Sequence, residues 1–113
     1  MTVAISLLDE FERNFKRLAK KYRSLREDFV AFKQSLEENP MQGDDLGGNV
    51  RKVRMAISSK GKGKSGGARV ITFNVKIEKD DTIYITLMSI YDKNEIQNVS
   101  DEYIKWLVGQ IEK

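Results

Sequence analysis

Arg69–Tyr91 reads RVITFNVKIEKDDTIYITLMSIY, and this stretch decides the fold. Ile71, Phe73, Val75 and Ile77 recur at every second position, the period of a strand that turns one face to a core. Lys79-Asp80-Asp81 is a polar turn. Thr82–Tyr91 is the most apolar stretch of the chain and lacks clean alternation, as a central strand covered on both sides does. Upstream, Val50–Ile57 alternates again, with Val53, Met55 and Ile57 on one side and Lys52 and Arg54 on the other. Three such strands joined by loops predict an antiparallel meander.

The flanks are helical. Leu8, Phe11, Phe15, Leu18 and Tyr22 recur at helical spacing with basic residues between them, and Leu25, Phe29, Phe32 and Leu36 repeat the pattern up to Asn39-Pro40. A link near Tyr22–Ser24 makes the two a helical hairpin. An aromatic stripe at this spacing is core. Before it, Thr2–Ser6 alternates as a short strand. After the meander, Ser100 is a helix N-cap with Asp101 and Glu102 in the first turn, followed by Ile104, Leu107, Val108 and Ile111 on one face. Tyr103 and Trp106 widen that stripe, which either packs on the body or serves as a docking surface. The polar, glycine-rich Gln42–Asn49 reads as a loop, and Ser58–Gly67, with four glycines and three lysines, as a long connection. The expected order is βααβββα, an α+β fold in a single domain, 1–113, whose N-terminal helical hairpin packs on a mainly antiparallel sheet with a C-terminal helix.

A chain of 113 residues, 40% hydrophobic and 33% charged, has the length and composition of a globule with a sizeable core. The absence of Cys excludes disulfides, thiolate nucleophiles and zinc–cysteine sites, and the absence of His removes the usual base near neutral pH. No metal or other cofactor is expected, and proton transfer falls to Lys, Arg, Tyr, Asp or Glu. Val3–Leu8 is too short, and lacks the preceding basic region, for a secretory signal. No run reaches the roughly 20 apolar residues that span a bilayer. A cytoplasmic protein without membrane contact is expected.

The net charge of +3 conceals segregation. Arg13–Arg26 and Val50–Val70 each hold seven basic residues and no acid, while the rest of the chain is acidic. Such blocks build a local field suited to polyanions, or else are solvated faces. Gly61–Gly67 superficially suggests a phosphate loop. However, the Walker pattern needs Lys and then Ser or Thr directly after its final Gly, and it leads from a strand into a helix; here Gly66 is followed by Gly67, and the loop joins two strands. Lys52 and Arg54 project from one face of a strand, and Arg69 opens the next. Crowded cations lower one another's charge stability, which can turn a lysine into a base. Tyr91 and Lys93, at the end of the last strand, can stack a base or donate a proton. The same cluster can equally be a rim of ordinary exposed cations.

Three segments together, Arg51-Lys52-Val53-Arg54, the Lys60–Val70 loop ending Gly-Gly-Ala-Arg-Val, and Ser89-Ile90-Tyr91-Asp92-Lys93-Asn94-Glu95, resemble HigB-type toxins of the RelE/ParE superfamily. The resemblance covers essentially the whole chain. It implies a RelE-like fold, a cognate antitoxin (a small helix-turn-helix protein), and a toxin that cuts mRNA in the ribosomal A site by metal-free attack of a ribose 2′-hydroxyl on the adjacent phosphate. Carried over by position, Lys52 is the general base, Arg54 and Arg69 stabilise the phosphorane, and Tyr91 or Lys93 serves the leaving group. Arg51, Lys60, Lys62 and Lys64, with Arg13, Arg17 and Lys20 of the first helix, hold RNA. Two positions depart from RelE itself: Asn94 stands where an arginine is found, and no Tyr follows near Val99–Ser100. The alternatives are a non-enzymatic toxin of the same fold that binds gyrase or blocks the ribosome, and an inactive relic.

Overall fold

In the computed structural model, which describes residues 1–61 and 66–111, the chain runs β1 (Thr2–Leu7), α1 (Asp9–Lys21), α2 (Leu25–Glu38), β2 (Asp44–Gly47), β3 (Val50–Met55), β4 (Ala68–Ile77), β5 (Thr82–Asp92) and α3 (Asp101–Ile111). One sheet takes the order β1-β5-β4-β3-β2. β1 lies parallel to β5, reached through the α1–α2 crossover, and the other neighbours are antiparallel. The α+β order read from the sequence is present, with its helical hairpin, meander and last helix.

Local chemistry sets the helix ends. Asp9, Glu10 and Glu12 sit in the first turn of α1 and Lys20 and Lys21 in its last, each sign at the end that the helix dipole favours. Tyr22 turns to an extended conformation and stops α1, its N–H still donating to the Leu18 carbonyl at 2.8 Å. Asn39 leaves α2 ahead of Pro40, which disfavours a helical predecessor.

One expectation is corrected. Gln42–Asn49 is not merely a loop, since Asp44–Gly47 forms β2 and pairs with β3 through Asp44–Lys52 and Asp45–Arg51. Gly47, Gly48 and Asn49 all take positive φ (87°, 59° and 69°) to make the tight turn. Every side chain of β2 is exposed. An edge strand held by backbone pairing and one exposed ion pair, Asp45–Arg51, has no apolar period, so no buried face announces it.

The middle of the sheet is buried on both faces. On one, Phe11, Phe15 and Leu18 of α1 and Leu25, Phe32 and Leu36 of α2 pack on Val53, Met55, Val70, Ile85, Leu87 and Ile90. On the other, Leu107 of α3 covers Val50, Ile71, Met88 and Tyr91. Trp106, in contrast, is 45% exposed and stacks on Tyr103. Between Ile71–Ser89 and Thr72–Leu87 the register slips by one, with Met88 as the extra residue. Burial on both faces and this bulge explain why Thr82–Tyr91 does not alternate.

Gly67 enters β4 against the end of β3. A Cβ there would stand 2.2 Å from the Met55 carbonyl oxygen. Gly67→Ala is expected to lower stability by about 2 kcal/mol or more, because the obstacle is backbone and cannot swing aside. Urea unfolding of the two proteins measures the loss.

Candidate functional site

The strand register assembles the cations that sequence places far apart. Arg54 of β3 pairs with Arg69 of β4, and Arg69 with Tyr91 of β5, so the three form one row across the sheet. Lys52, two residues from Arg54, projects from the same face as Arg54. Directly opposed like charges destabilise a sheet, so an Arg–Arg pair at this position costs stability and signals a use for it.

The row grades from surface to interior. Arg54 is exposed and Lys52 half-buried, and among the described residues neither has an ion pair or side-chain hydrogen bond. Arg69 is only 7% exposed, and its Nη1 donates to the Ala68 carbonyl at 3.3 Å. Tyr91 is 3% exposed, and its hydroxyl is buried without a hydrogen-bond partner among the described residues. Burial pushes that hydroxyl's pKa up, against the opposing pull of the Arg69 charge. Lys93, just past β5, is exposed, and its backbone N–H donates to the Gly67 carbonyl at 3.3 Å.

The expected RNA contacts fare unevenly. Lys20 is exposed on α1. Arg13 pairs with Glu10 at 2.9 Å, and Arg17 forks onto Glu95 at 3.1 and 3.3 Å. Arg51 donates to the carbonyls of Gln42 and Gly43 at 3.2 and 3.1 Å and so ties down the chain leading into β2. Lys62 and Lys64 lie outside the described residues. Lys60 is turned inward: its side chain is 7% exposed and its Nζ sits 2.8 Å from Asp92. The expectation that Lys60 touches RNA is therefore corrected, because a buried ammonium held by a carboxylate has no free face to offer. Part of the acidic remainder of the chain has folded onto the basic blocks and neutralised them locally.

Asp92 was not singled out in the sequence, although an acid closing the most apolar strand was a visible signal. It is fully buried. It accepts from the Tyr22 hydroxyl, from Lys60 and from the Asn94 backbone N–H, with the Lys21 ammonium 3.8 Å away. Burial alone would raise its pKa, but these hydrogen bonds and the Lys60 charge outweigh it and hold the carboxyl at about 2. Asp28 grips the other end of the Ser58–Lys60 turn, accepting from the Ser58 N–H at 2.9 Å and from the Ser58 hydroxyl. Two carboxylates thus clamp the stem that leads into the lysine–glycine stretch.

A second polar network ties α3 to the body. Tyr103 donates to Glu10 at 2.5 Å and lies 2.9 Å from the Ser89 hydroxyl, which reaches Asn14 at 3.0 Å. Burial and the Glu10 carboxylate push the Tyr103 hydroxyl up to about 12. This network fixes the helix that lies over the Tyr91 side of the sheet. The cation row itself can hold a phosphate on rigid strands and meet added negative charge as it develops, which is the geometry that phosphoryl chemistry rewards.

The Asp92 carboxyl is held at about 2 in the fold, against 3.8 ordinarily. Its stabilising contribution is complete above the ordinary value and is lost as pH falls through the folded one. Asp92→Asn is expected to cost about 3 kcal/mol at neutral pH and to shrink the loss of stability between about pH 4 and 2. Urea unfolding across that range, for both proteins, measures it.

Against models of known families, residues 11–111 match the one described as the RelE toxin of the RelE / RelB toxin–antitoxin system.

Proposed function

The chain belongs to the RelE toxin family and is the toxin of a toxin–antitoxin system with a cognate antitoxin as its partner, and from that premise we propose that it is a ribosome-dependent mRNA endonuclease. The observation that carries the proposal is the cross-strand pair Arg54–Arg69 with Lys52 beside it, three cations gathered on one sheet face. The family's toxins are generally endoribonucleases. The HigB-type assignment rests on the glycine–lysine segment and on Tyr91-Asp92-Lys93-Asn94-Glu95. The whole chain, 1–113, acts as one toxin domain, and the antitoxin is a small helix-turn-helix protein. The ribosome as target places the activity in the cytoplasm.

In this mechanism Lys52 accepts the proton of a ribose 2′-hydroxyl. The oxygen attacks the adjacent phosphorus, a 2′-oxygen–phosphorus bond forms and the bond to the 5′-oxygen breaks, leaving a cyclic phosphate and a free 5′-hydroxyl. Arg54 and Arg69 bear the added negative charge of the phosphorane. Lys93 is exposed and protonates the departing 5′-oxygen. Tyr91, whose hydroxyl is sealed from solvent, packs beside Arg69 and holds it in the row. No step requires a metal or other cofactor. Lys20 and the exposed parts of Arg13 and Arg17 lie on α1 for contact with ribosomal RNA, with Arg51 on β3; Lys62 and Lys64 of the glycine–lysine segment are assigned the same partner from the sequence.

Adding the purified chain to translating ribosomes and mapping message ends tests the activity. New 5′ ends within the decoded region are expected, and intact message at growth-arresting doses overturns the proposal. Lys52→Ala, Arg54→Ala and Arg69→Ala are each expected to slow cleavage roughly 100-fold or more. Arg54→Ala removes an exposed cation and its repulsion from Arg69, so its melting temperature is expected to hold or rise slightly, and its kinetic loss reports chemistry and not folding.

A further inference from the structure

A carboxylate closes the most apolar strand of the chain, and the core does not ask for one. Asp92 is the last residue of β5 and is fully buried. Its side chain turns to the face opposite Tyr91, the face that carries Ile90 partners and the helical hairpin. Lys60, the cation that answers it, has a side chain only 7% exposed. Taking two opposite charges out of water is expensive, and a well-packed apolar pair of similar volume is often as stable or more so. Stability alone therefore does not account for this pair.

Three parts of the chain converge on the carboxylate. The Tyr22 hydroxyl, at the end of α1, and the Lys60 ammonium, at the stem of the lysine–glycine segment, both donate to it, Lys60 at 2.8 Å. Lys60 and Lys21 also lie 5.4 and 5.3 Å from the centre of the Tyr22 ring, which favours both ammonium groups. The third part is the segment after β5, which winds around Asp92 itself. The Asn94 N–H donates to the carboxylate at 2.9 Å, and those of Glu95 and Ile96 donate to the Asp92 carbonyl, both at 3.0 Å. Lys93 stands inside this turn, and its own N–H reaches the Gly67 carbonyl at 3.3 Å. Ala68 faces Asp92 in the ladder, and Arg69 comes next. Asp92 thus holds the stem Ser58–Lys60 and the turn carrying Lys93 together at the entry to β4.

We propose that Asp92 is a positioning residue of the cleavage site, and that the Lys60–Asp92 pair sets where Lys93 stands relative to Arg69. The inference rests on the cleavage reading above and gives Asp92 no contact with the message. Proton transfer to a departing oxygen needs a well-placed donor, and a misplacement of about 1 Å can remove much of the rate. A neutral Asn in this place would keep the turn, because its amide oxygen accepts from the Asn94 N–H as a carboxylate does. It would not hold a buried ammonium. The charge of Asp92 therefore serves Lys60, and through Lys60 the approach of the two segments that meet at the start of β4.

Message cleavage on translating ribosomes and amide hydrogen exchange, measured for the wild type, K60M/D92N and Tyr22→Phe, test the proposal. K60M/D92N buries no unpaired charge, so its melting temperature is expected to lie above that of Asp92→Asn. Its rate at saturating ribosomes is expected to fall about 10-fold or more while KM changes less than about 2-fold. Its Lys93 amide is expected to exchange about 10-fold faster. Tyr22→Phe removes only the hydrogen bond to Asp92 and is expected to lower the same rate about 3-fold or more. A wild-type rate in K60M/D92N overturns the proposal, as does a loss carried by KM or by the unfolded fraction with the Lys93 amide unchanged. Should K60M/D92N not fold, Tyr22→Phe decides, and a wild-type rate there overturns the proposal. Intact message with the wild-type chain overturns the cleavage reading instead, and unchanged Lys93 exchange in K60M/D92N then overturns the placement of Lys93 by Asp92.

Discussion

The pairing of β4 with β5 is the constraint on which everything else depends. These two strands form the middle of the sheet, and their ladder runs from Ala68–Asp92 to Ile77–Thr82. Both faces of the pair are covered, by the helical hairpin on one side and by α3 on the other. β1 reaches the sheet only by lying parallel to β5, and β3 only by pairing with β4. The ladder also sets the register that places Arg69 between Arg54 and Tyr91. A one-residue slip would turn these side chains to the helical face and bury charge in the larger apolar layer. The Met88 bulge confines the slip that does occur to the region beyond the cation row.

The site works against the stability of the sheet that carries it. Arg54 and Arg69 face one another across neighbouring strands, and the Tyr91 hydroxyl is buried beside Arg69 without a hydrogen-bond partner among the described residues. Compensation comes from acids elsewhere in the chain. Asp92 draws Lys60 inward, Glu95 engages Arg17 and Lys21, and Glu10 engages Arg13 and Tyr103. The charged blocks seen in sequence are therefore divided by the fold. Some cations become struts in buried or half-buried ion pairs, while Lys52 and Arg54 have no such pairing among the described residues.

Most of the architecture was legible because burial leaves a period in sequence. The stripes Phe11–Phe15–Leu18 and Phe32–Leu36, and the alternation Ile71–Phe73–Val75, are direct consequences of a face turned to a core. β2 was not legible, since its side chains are all exposed and it buries no apolar face. The parallel placement of β1 beside β5 was not legible either, because strand order depends on the path of the crossover and not on local pattern. For the candidate site, the residue types and their strands were readable in Lys52, Arg54, Arg69 and Tyr91, but their alignment in one row depends on the register between strands.

The amino-acid sequence by itself determined the order of every element except β2, most of the core and the kind of charge available, since each follows from local period and composition. Only the tertiary structure decided which cations are free. Lys60 and Lys52 are the same residue type in the same acid-free block, yet one ends 2.8 Å from a buried carboxylate and the other on the open cation row. Asp92 is 32 residues from Lys60. An ion pair closed over that separation depends on strand register and on the desolvation of both partners, and neither is encoded in the neighbourhood of either residue.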